Sequence, residues 1–414
     1  MKSLEGQAFP PLKRNYPVFR FIGGNVVSFF GDQIYLIALP LIVLALTGSA
    51  LSMGTVAALE RLPILLQPAA GILADRFDRK WLLLLCDIGR CLVVGVTGVI
   101  FIAGGLVMWQ VYTAAFLVGL MSQIYNASQF ASVPQLVRKD DLQAVNAVNS
   151  GLAQTAVLLG PGLGGLIISF YNPGYALLIN SFSFLVSFLS IASISIKKTT
   201  LPERRSQTFF ADLTEGFQFV LHTKPILYTN LAILLSMFGT TLFLTLMIFH
   251  LKDTIHLTAQ QIGWLISFGG VGSIFGALST NFFVKLFSYR RLLFTASVLG
   301  GLSIVLFSYA HSFAALMVFN AMGTLMASMM SPCIVTIRQT LTPDHLLGRV
   351  QATSRFMAWV LLPVSAFLAG VLAEVFGTSA TILLGGVISV VASAFYLHPS
   401  LKRKMVKWEE KEGA

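Results

Sequence analysis

Apolar residues run in blocks close to the ~20 residues that carry a helix across a bilayer, and the blocks recur from Phe21–Leu46 to Thr381–Leu397. Polar or glycine-containing breaks divide them into twelve predicted spans, at 18–46, 51–74, 81–103, 107–134, 143–169, 175–196, 226–250, 261–284, 291–310, 313–336, 349–373 and 378–397. The longest polar stretch, Lys197–Pro225, separates six spans from six and holds an amphipathic segment, Phe209–His222, suited to a membrane–water interface. The pattern predicts an all-α membrane protein with a six-helix bundle at 1–196, a linker at 197–225, a second six-helix bundle at 226–397 and a basic tail at 398–414. The halves are weakly alike: in PQLVRKDDLQAVNA and RQTLTPDHLLGRVQA, Gln135, Asp140 and Leu142 correspond to Gln339, Asp344 and Leu346. Two parallel repeats of this kind imply a mid-bilayer substrate site and alternating access.

Composition agrees. The 414 residues are 56% hydrophobic and 11% charged, against roughly 25% charged in a soluble protein. The net charge of +11 would suit nucleic acid only if it formed a patch placed on phosphates. Instead the basic residues fall in alternate loops: Arg76, Arg79 and Lys80; Arg138 and Lys139; Lys197, Lys198, Arg204 and Arg205; Arg290 and Arg291; Lys402, Arg403 and Lys404. The intervening loops are almost empty, Lys252 excepted. This is the positive-inside pattern of a multi-pass protein of the cell membrane, and it puts both termini in the cytoplasm. The N-terminal segment lacks the apolar core and cleavage site of a signal peptide, so the first span is expected to remain in the mature protein. Cys86, Cys91 and Cys333 lie inside apolar segments with neither zinc nor disulfide spacing and read as packing residues, so no metal or other cofactor is expected.

Two motifs stand out. GILADRFDRK, Gly71–Lys80, joins the second and third spans. Its glycine permits close helix approach, and Asp75 can meet a basic neighbour or a helix N-terminus, which favours negative charge. The loop reads either as a latch or as a topology signal anchored by Arg76, Arg79 and Lys80. GPGLGG, Gly160–Gly165, lies within the fifth span, where Pro161 removes a helical hydrogen bond and Gly160, Gly164 and Gly165 allow tight packing. Gly71, Asp75, Arg76, Arg79 and Lys80 resemble the loop motif of the major facilitator superfamily, and the resemblance extends over essentially the whole chain. Asp78, where glycine is common, and TPDHLLGRV, Thr342–Val350, are similar to the macrolide-efflux and enterobactin-exporter branch. The resemblance implies a twelve-helix major facilitator fold working as a monomer, a latch role for Asp75 and Arg79, and, from the fifth-span glycines, antiport in the export direction. Departures are clear: the second-half copy of the loop, from Gly276 to Arg290-Arg291, lacks the aspartate, and the earlier glycines of the fifth-span signature are Ala147 and Ala156.

Polar residues form stripes at helical spacing, each on one face. They are Asn25, Ser28, Asp32 and Tyr35 in the first span; Gly119, Ser122, Asn126 and Gln129 in the fourth; Asn146, Ser150 and Gln154 in the fifth; and Asn320, Thr324, Ser328 and Ser331 in the tenth. They line a cavity or bond helix to helix; the resemblance favours a cavity for the first, fourth and tenth. Gln123 and Asn126 stand nearest to where many proton-driven relatives carry an arginine in the fourth span. Arg355, near Trp359 on the same face, is placed either to meet an anionic substrate or to stack within the protein.

Charges inside spans are costly, about 2.5–3.5 kcal/mol at a helix centre. Asp32 and Glu60 lie at similar depth in adjacent spans and Arg61 follows directly. Desolvation favours a neutral carboxyl and an arginine favours its charged form, so small changes in either tip its protonation. Asp32 or Glu60 is therefore expected to carry a coupling proton, with Arg61 tuning it; the competing reading is a permanent structural bridge to Arg61. Asp87 and Arg90, three apart, read as a structural pair near the cytoplasmic end of the third span. His250 and His256 read as solvated at the outer edge of the seventh.

The expectation is a secondary efflux transporter exchanging protons for an amphipathic or lipophilic small molecule such as a macrolide-like antibiotic. The 33 phenylalanines and 13 methionines suit a permissive pocket, although apolar residues also simply face lipid. A lysophospholipid or lipid flippase and a siderophore exporter fit the same fold, and a non-transporting membrane receptor is the alternative of another class. No H-E-x-x-H helix, Ser–His pairing or G-x-x-x-x-G-K-[ST] loop points to an intramembrane enzyme or to direct ATP drive.

Overall fold

The computed structural model describes residues 12–67, 73, 77–138, 140–195, 209–343 and 346–402. Its long elements are all α-helices: α1 (Tyr16–Thr47), α2 (Ala50–Arg61), α3 (Arg79–Ile102), α4 (Met108–Ser132), α5 (Leu142–Phe170), α6 (Pro173–Ala192), α7 (Phe209–His222), α8 (Lys224–Phe249), α9 (Ala259–Leu286), α10 (Tyr289–Tyr309), α11 (Phe313–Leu341), α12 (Leu347–Trp359), α13 (Leu362–Phe376) and α14 (Thr378–Ala392). Among the described residues, ten segments are long and apolar enough to cross a bilayer, with α12 and α13 forming a single span, Leu347–Phe376. The other two spans of the fold are α2 and α4. α4 has the length, at 25 residues, but Gln110, Gln123, Asn126 and Gln129 dilute its hydropathy. α2 passes into a 3-10 turn, Leu62–Leu66, because Pro63 brings no N–H to the ladder.

The helices gather into two compact units, one of residues 1–46 and 59–200, the other of 47–58 and 201–414. In the first unit α3 packs against α4 and α6. α1 is seated by glycines on two neighbours. A Cβ at Gly31 would lie 2.1 Å from Ser183 Oγ of α6, and one at Gly160 of α5 would lie 2.4 Å from Gln33 Cβ of α1. One turn on, a Cβ at Gly164 would lie 3.2 Å from Ile34 Cα, so the GPGLGG segment works as a seat for α1, and α5 stays one continuous helix with Pro161 inside it. Val18, Phe21, Leu83, Tyr125, Val145 and Ile191 close the core around these contacts.

The second unit repeats the device. α9 meets α11 at Gly272 and Gly276, and α14 meets α8 at Gly239 and Gly385 and α10 at Gly301 and Gly386. Residues 47–58 belong here: Gly54 lies against Gly370 of α13, and Ser49 Oγ donates to Glu374 Oε2 at 3.5 Å. The linker segment forms α7, which rests on α12 where Gly216 admits the backbone of Arg349, and Glu215 pairs with Arg349.

The loop motif is built into helix ends. Asp78 is the N-cap of α3, its carboxylate accepting from the backbone N–H of Lys80 at 2.9 Å and of Trp81 at 3.4 Å. Such a cap satisfies donors that the helix leaves open. Lys80 Nζ donates to the carbonyls of Ala192 (3.0 Å) and Ile194 (2.6 Å) at the end of α6. Arg79 donates to Ala131 O at 2.9 Å at the end of α4. Both cations sit where helix C-termini favour positive charge. The expectation for His250 is corrected: it opens a π-helical turn, His250–Thr254, is 1% exposed, and its Nδ1 lies 3.2 Å from Thr378 Oγ1. His256 is exposed, as expected of a loop residue.

Candidate functional site

Helical spacing on α1 brings Asn25, Ser28 and Asp32 onto one face, and Tyr125, Asn126 and Gln129 line up likewise on α4. These residues, with Val26, Phe29, Arg90 of α3 and Asn149 and Ala153 of α5, line a cavity of about 200 Å³ inside the first unit. Small-molecule sites usually span about 300–1,000 Å³. The volume therefore suits one polar end of a ligand, or water, rather than a whole drug-sized molecule. Its lining is rich in amides, with one carboxylate and one guanidinium.

The charged residues of the cavity wall belong to a network that runs on into α3 and α6. Arg90 NH2 donates to Asp87 Oδ1 at 2.6 Å, with the two side chains 3% and 0% exposed. Ser187 Oγ of α6 donates to Asp87 Oδ2 at 2.7 Å. The guanidinium carbon of Arg90 sits 4.2 Å from the Tyr125 ring centroid and 4.3 Å from that of Phe184. Cation–π contact with two rings favours a desolvated guanidinium. Tyr125 donates its hydroxyl to Asn25 Oδ1 and lies 3.2 Å from Ser187 Oγ. Asp32 faces the same guanidinium from α1, with Asn180 of α6 beside it.

Several residues expected at a site take other places. The cationic neighbour of Asp32 is Arg90, whereas Arg61 acts on its own neighbour Glu60. Glu60 is still within electrostatic reach of Asp32, and Tyr35 lies near both. The Asp87–Arg90 pair is not near a helix end: Arg90 lies eleven residues into the 24-residue α3 and reaches the cavity. On α5 the cavity takes Asn149 and Ala153. Asn146, Ser150 and Gln154 lie roughly 100° round the helix from that face. Gln123 is half-buried outside the lining.

In the second unit Asn320 Nδ2 donates to Leu265 O at 3.0 Å and Thr324 Oγ1 to Gly269 O at 2.6 Å. Both fasten α11 to α9, the bonding alternative for that stripe, because Gly269 and Gly272 bring the α9 backbone within reach. Arg355 is exposed on one side and stacks on Trp359, 4.6 Å from its ring centroid. Gly71, Asp75 and Arg76 lie outside the described residues, while Arg79 and Lys80 cap helices as above. Gly160, Pro161, Gly164 and Gly165 are buried in α5.

Arg90 is the site residue missed in the sequence. Like Arg61, Arg90 is an arginine deep inside an apolar span, and Asp87 three residues away offers it a local partner that hides its place on the cavity. Asn149 gave no signal of its own.

The family model described as a transmembrane secretion effector matches residues 6–412. The chain belongs to this family of major facilitator transporters. It is a membrane-embedded transporter and not an enzyme. It is 26% identical over 375 residues to the multidrug efflux pump Tap of Mycolicibacterium fortuitum, covering 89% of this chain and 91% of that one. It is 22% identical over 378 residues to macrolide efflux protein A of Streptococcus pyogenes, covering 89% and 92% respectively. The fold is similar to the inward-facing crystal structure of a bacterial homologue of the iron transporter ferroportin, with a TM-score of 0.76 at 16% identity over 95% of this chain and all of that one.

Proposed function

We propose that this major facilitator transporter is a secondary active exporter of the cytoplasmic membrane, exchanging protons for an amphipathic or lipophilic small molecule by alternating access. Both termini face the cytoplasm, in keeping with the basic loops. The observation that carries the reading is Asp32, a carboxylate set in an amide-lined cavity within apolar helices and facing a buried guanidinium. A charge at that depth is expensive unless it is used or compensated, and a carboxylate there can hold a proton in one access state and release it in the other. The relatives named as multidrug and macrolide efflux pumps support the direction and the substrate class. Amides around the cavity offer donors and acceptors to a polar group of the substrate, and Phe29 and Val26 offer apolar contact.

The test is transport by the full chain in proteoliposomes, with a panel of macrolides and other amphipathic compounds, with and without an imposed proton gradient. Wild type should move a subset of the panel only when the gradient is present. Asp32→Asn should lose gradient-driven transport while retaining exchange of labelled for unlabelled compound. Full proton-driven transport by both Asp32→Asn and Glu60→Gln would end the coupling scheme. Binding of compounds without transport under any gradient would make the protein a receptor.

A further inference from the structure

Two carboxylates, the half-buried Asp32 and the buried Asp87, act on one guanidinium, that of Arg90. Asp87 is well supplied, holding Arg90 at 2.6 Å and Ser187 at 2.7 Å. Arg90 is not: its Nε is buried with no acceptor, although a guanidinium carries five donors. The rings of Tyr125 and Phe184 both contact the guanidinium, at 4.2 and 4.3 Å from its carbon. These cation–π contacts hold the charge of Arg90 without using up its N–H donors. Arg90 also lines the cavity, and so does Asp32.

We propose that Arg90 is a positioning residue that shifts between Asp87 and Asp32, engaging Asp32 when that carboxylate is ionised and returning to Asp87 when it is occupied. Arg90 keeps its own protons throughout. The proton that loads Asp32 comes from cavity water and leaves to it, so no other group changes its bonds. Two carboxylates, Asp32 and Asp87, share the one guanidinium of Arg90, which leaves this trio one positive charge short of neutrality. A proton on Asp32 fills that place, and Arg90 sets how strongly it is needed. This inference rests on the proposed coupling role of Asp32. The groups facing Arg90 are Asp87 and Cys86 on its own helix, Asp32 on α1 and Tyr125 on α4, while α6 presents only the uncharged Asn180, Phe184 and Ser187; Glu60 and Tyr35 face Asp32.

The experiment needs no transported compound. Full-length protein in nanodiscs is treated with dicyclohexylcarbodiimide, which attacks protonated buried carboxyls, across pH 4 to 9, and adducts at Asp32, Glu60 and Asp87 are quantified by peptide mass spectrometry. Asp87→Asn hands the cation to Asp32 and should move the Asp32 labelling midpoint to lower pH by about one unit or more. Arg90→Gln leaves Asp32 beside a like charge with no cation and should move it to higher pH by a similar amount. Should either single variant fail to fold, the double variant Asp87→Asn with Arg90→Gln removes the pair together and leaves no new isolated charge. Its midpoint should fall between those of wild type and Arg90→Gln. Opposite shifts of the single variants support the proposal. Shifts in the same direction, unmoved midpoints, or a double variant identical to wild type would overturn it. Since labelling is read without transport, opposite shifts in a protein that shows no proton-driven export would retain the Arg90 pivot and remove only the antiport reading.

Discussion

Gly119 of α4 lies against the backbone of α2 at Glu60, and its substitution offers a direct check of the packing that places that residue. A Cβ built there lies 2.1 Å from Glu60 O, 2.9 Å from Glu60 C and 3.2 Å from Glu60 Cα. Those atoms are backbone and cannot swing away as a side-chain tip would. Ordinary contact begins at about 3.4 Å, so Gly119→Ala must part the two segments by about 1.3 Å. Overpacking of this kind costs about 1–3 kcal/mol. Gly151 on α5 supplies the control, since a Cβ there meets nothing within 4 Å. Both positions are helical, so both alanines gain the same backbone contribution of about 0.5–1 kcal/mol. The expected order of apparent melting temperature, read as monodisperse protein remaining after heating in detergent, is Gly151→Ala at or above wild type and Gly119→Ala below it. Equal melting of the two variants would show that α2 does not press on α4 at Glu60 and would refute the placement of that carboxylate.

Other outcomes follow from single contacts. Asp78→Ala removes the N-cap of α3 and should lower stability by about 1 kcal/mol, while Asp78→Asn, another good cap, should stay close to wild type; thermal scans of the pair check this. Asn320→Ala breaks the bond to Leu265 O and should cost about 0.6 kcal/mol, the average for interhelical bonds in membranes, and no more than about 1.7 kcal/mol, without changing which compounds are exported. A changed export profile at unchanged stability would return Asn320 to a substrate-facing role. Glu215→Gln removes a half-exposed partner of Arg349 and should shift stability by no more than about 1 kcal/mol; a larger loss in the same melting assay would mean that this pair holds α7 in place.

The polar stripes show where reading from sequence succeeds and where it stops. On α1, Asn25, Ser28 and Asp32 share a face because helix geometry alone requires it, and that face does line the cavity. On α5 the same geometry allowed two neighbouring faces, and packing against α1 through Gly160 and Gly164 selected the one with Asn149. On α11 the stripe of Asn320 and Thr324 was equally regular, yet the glycines of α9 brought carbonyls within bonding distance and turned those side chains to helix packing. The same limit applied to Arg90. Its local partner Asp87 was visible three residues away, whereas Asp32, Tyr125 and Phe184 come from α1, α4 and α6.

What the sequence determined by itself was the medium, the helices and their number, and the family. The reason is that a bilayer rejects unsatisfied backbone and charge so strongly that length and hydropathy leave few solutions. Which polar groups meet was decided only in three dimensions. A charge inside a span must find some partner, but the rotation of each helix, set by glycines at the crossings, decides which one. That rotation gave Asp32 to Arg90 and left Glu60 with Arg61.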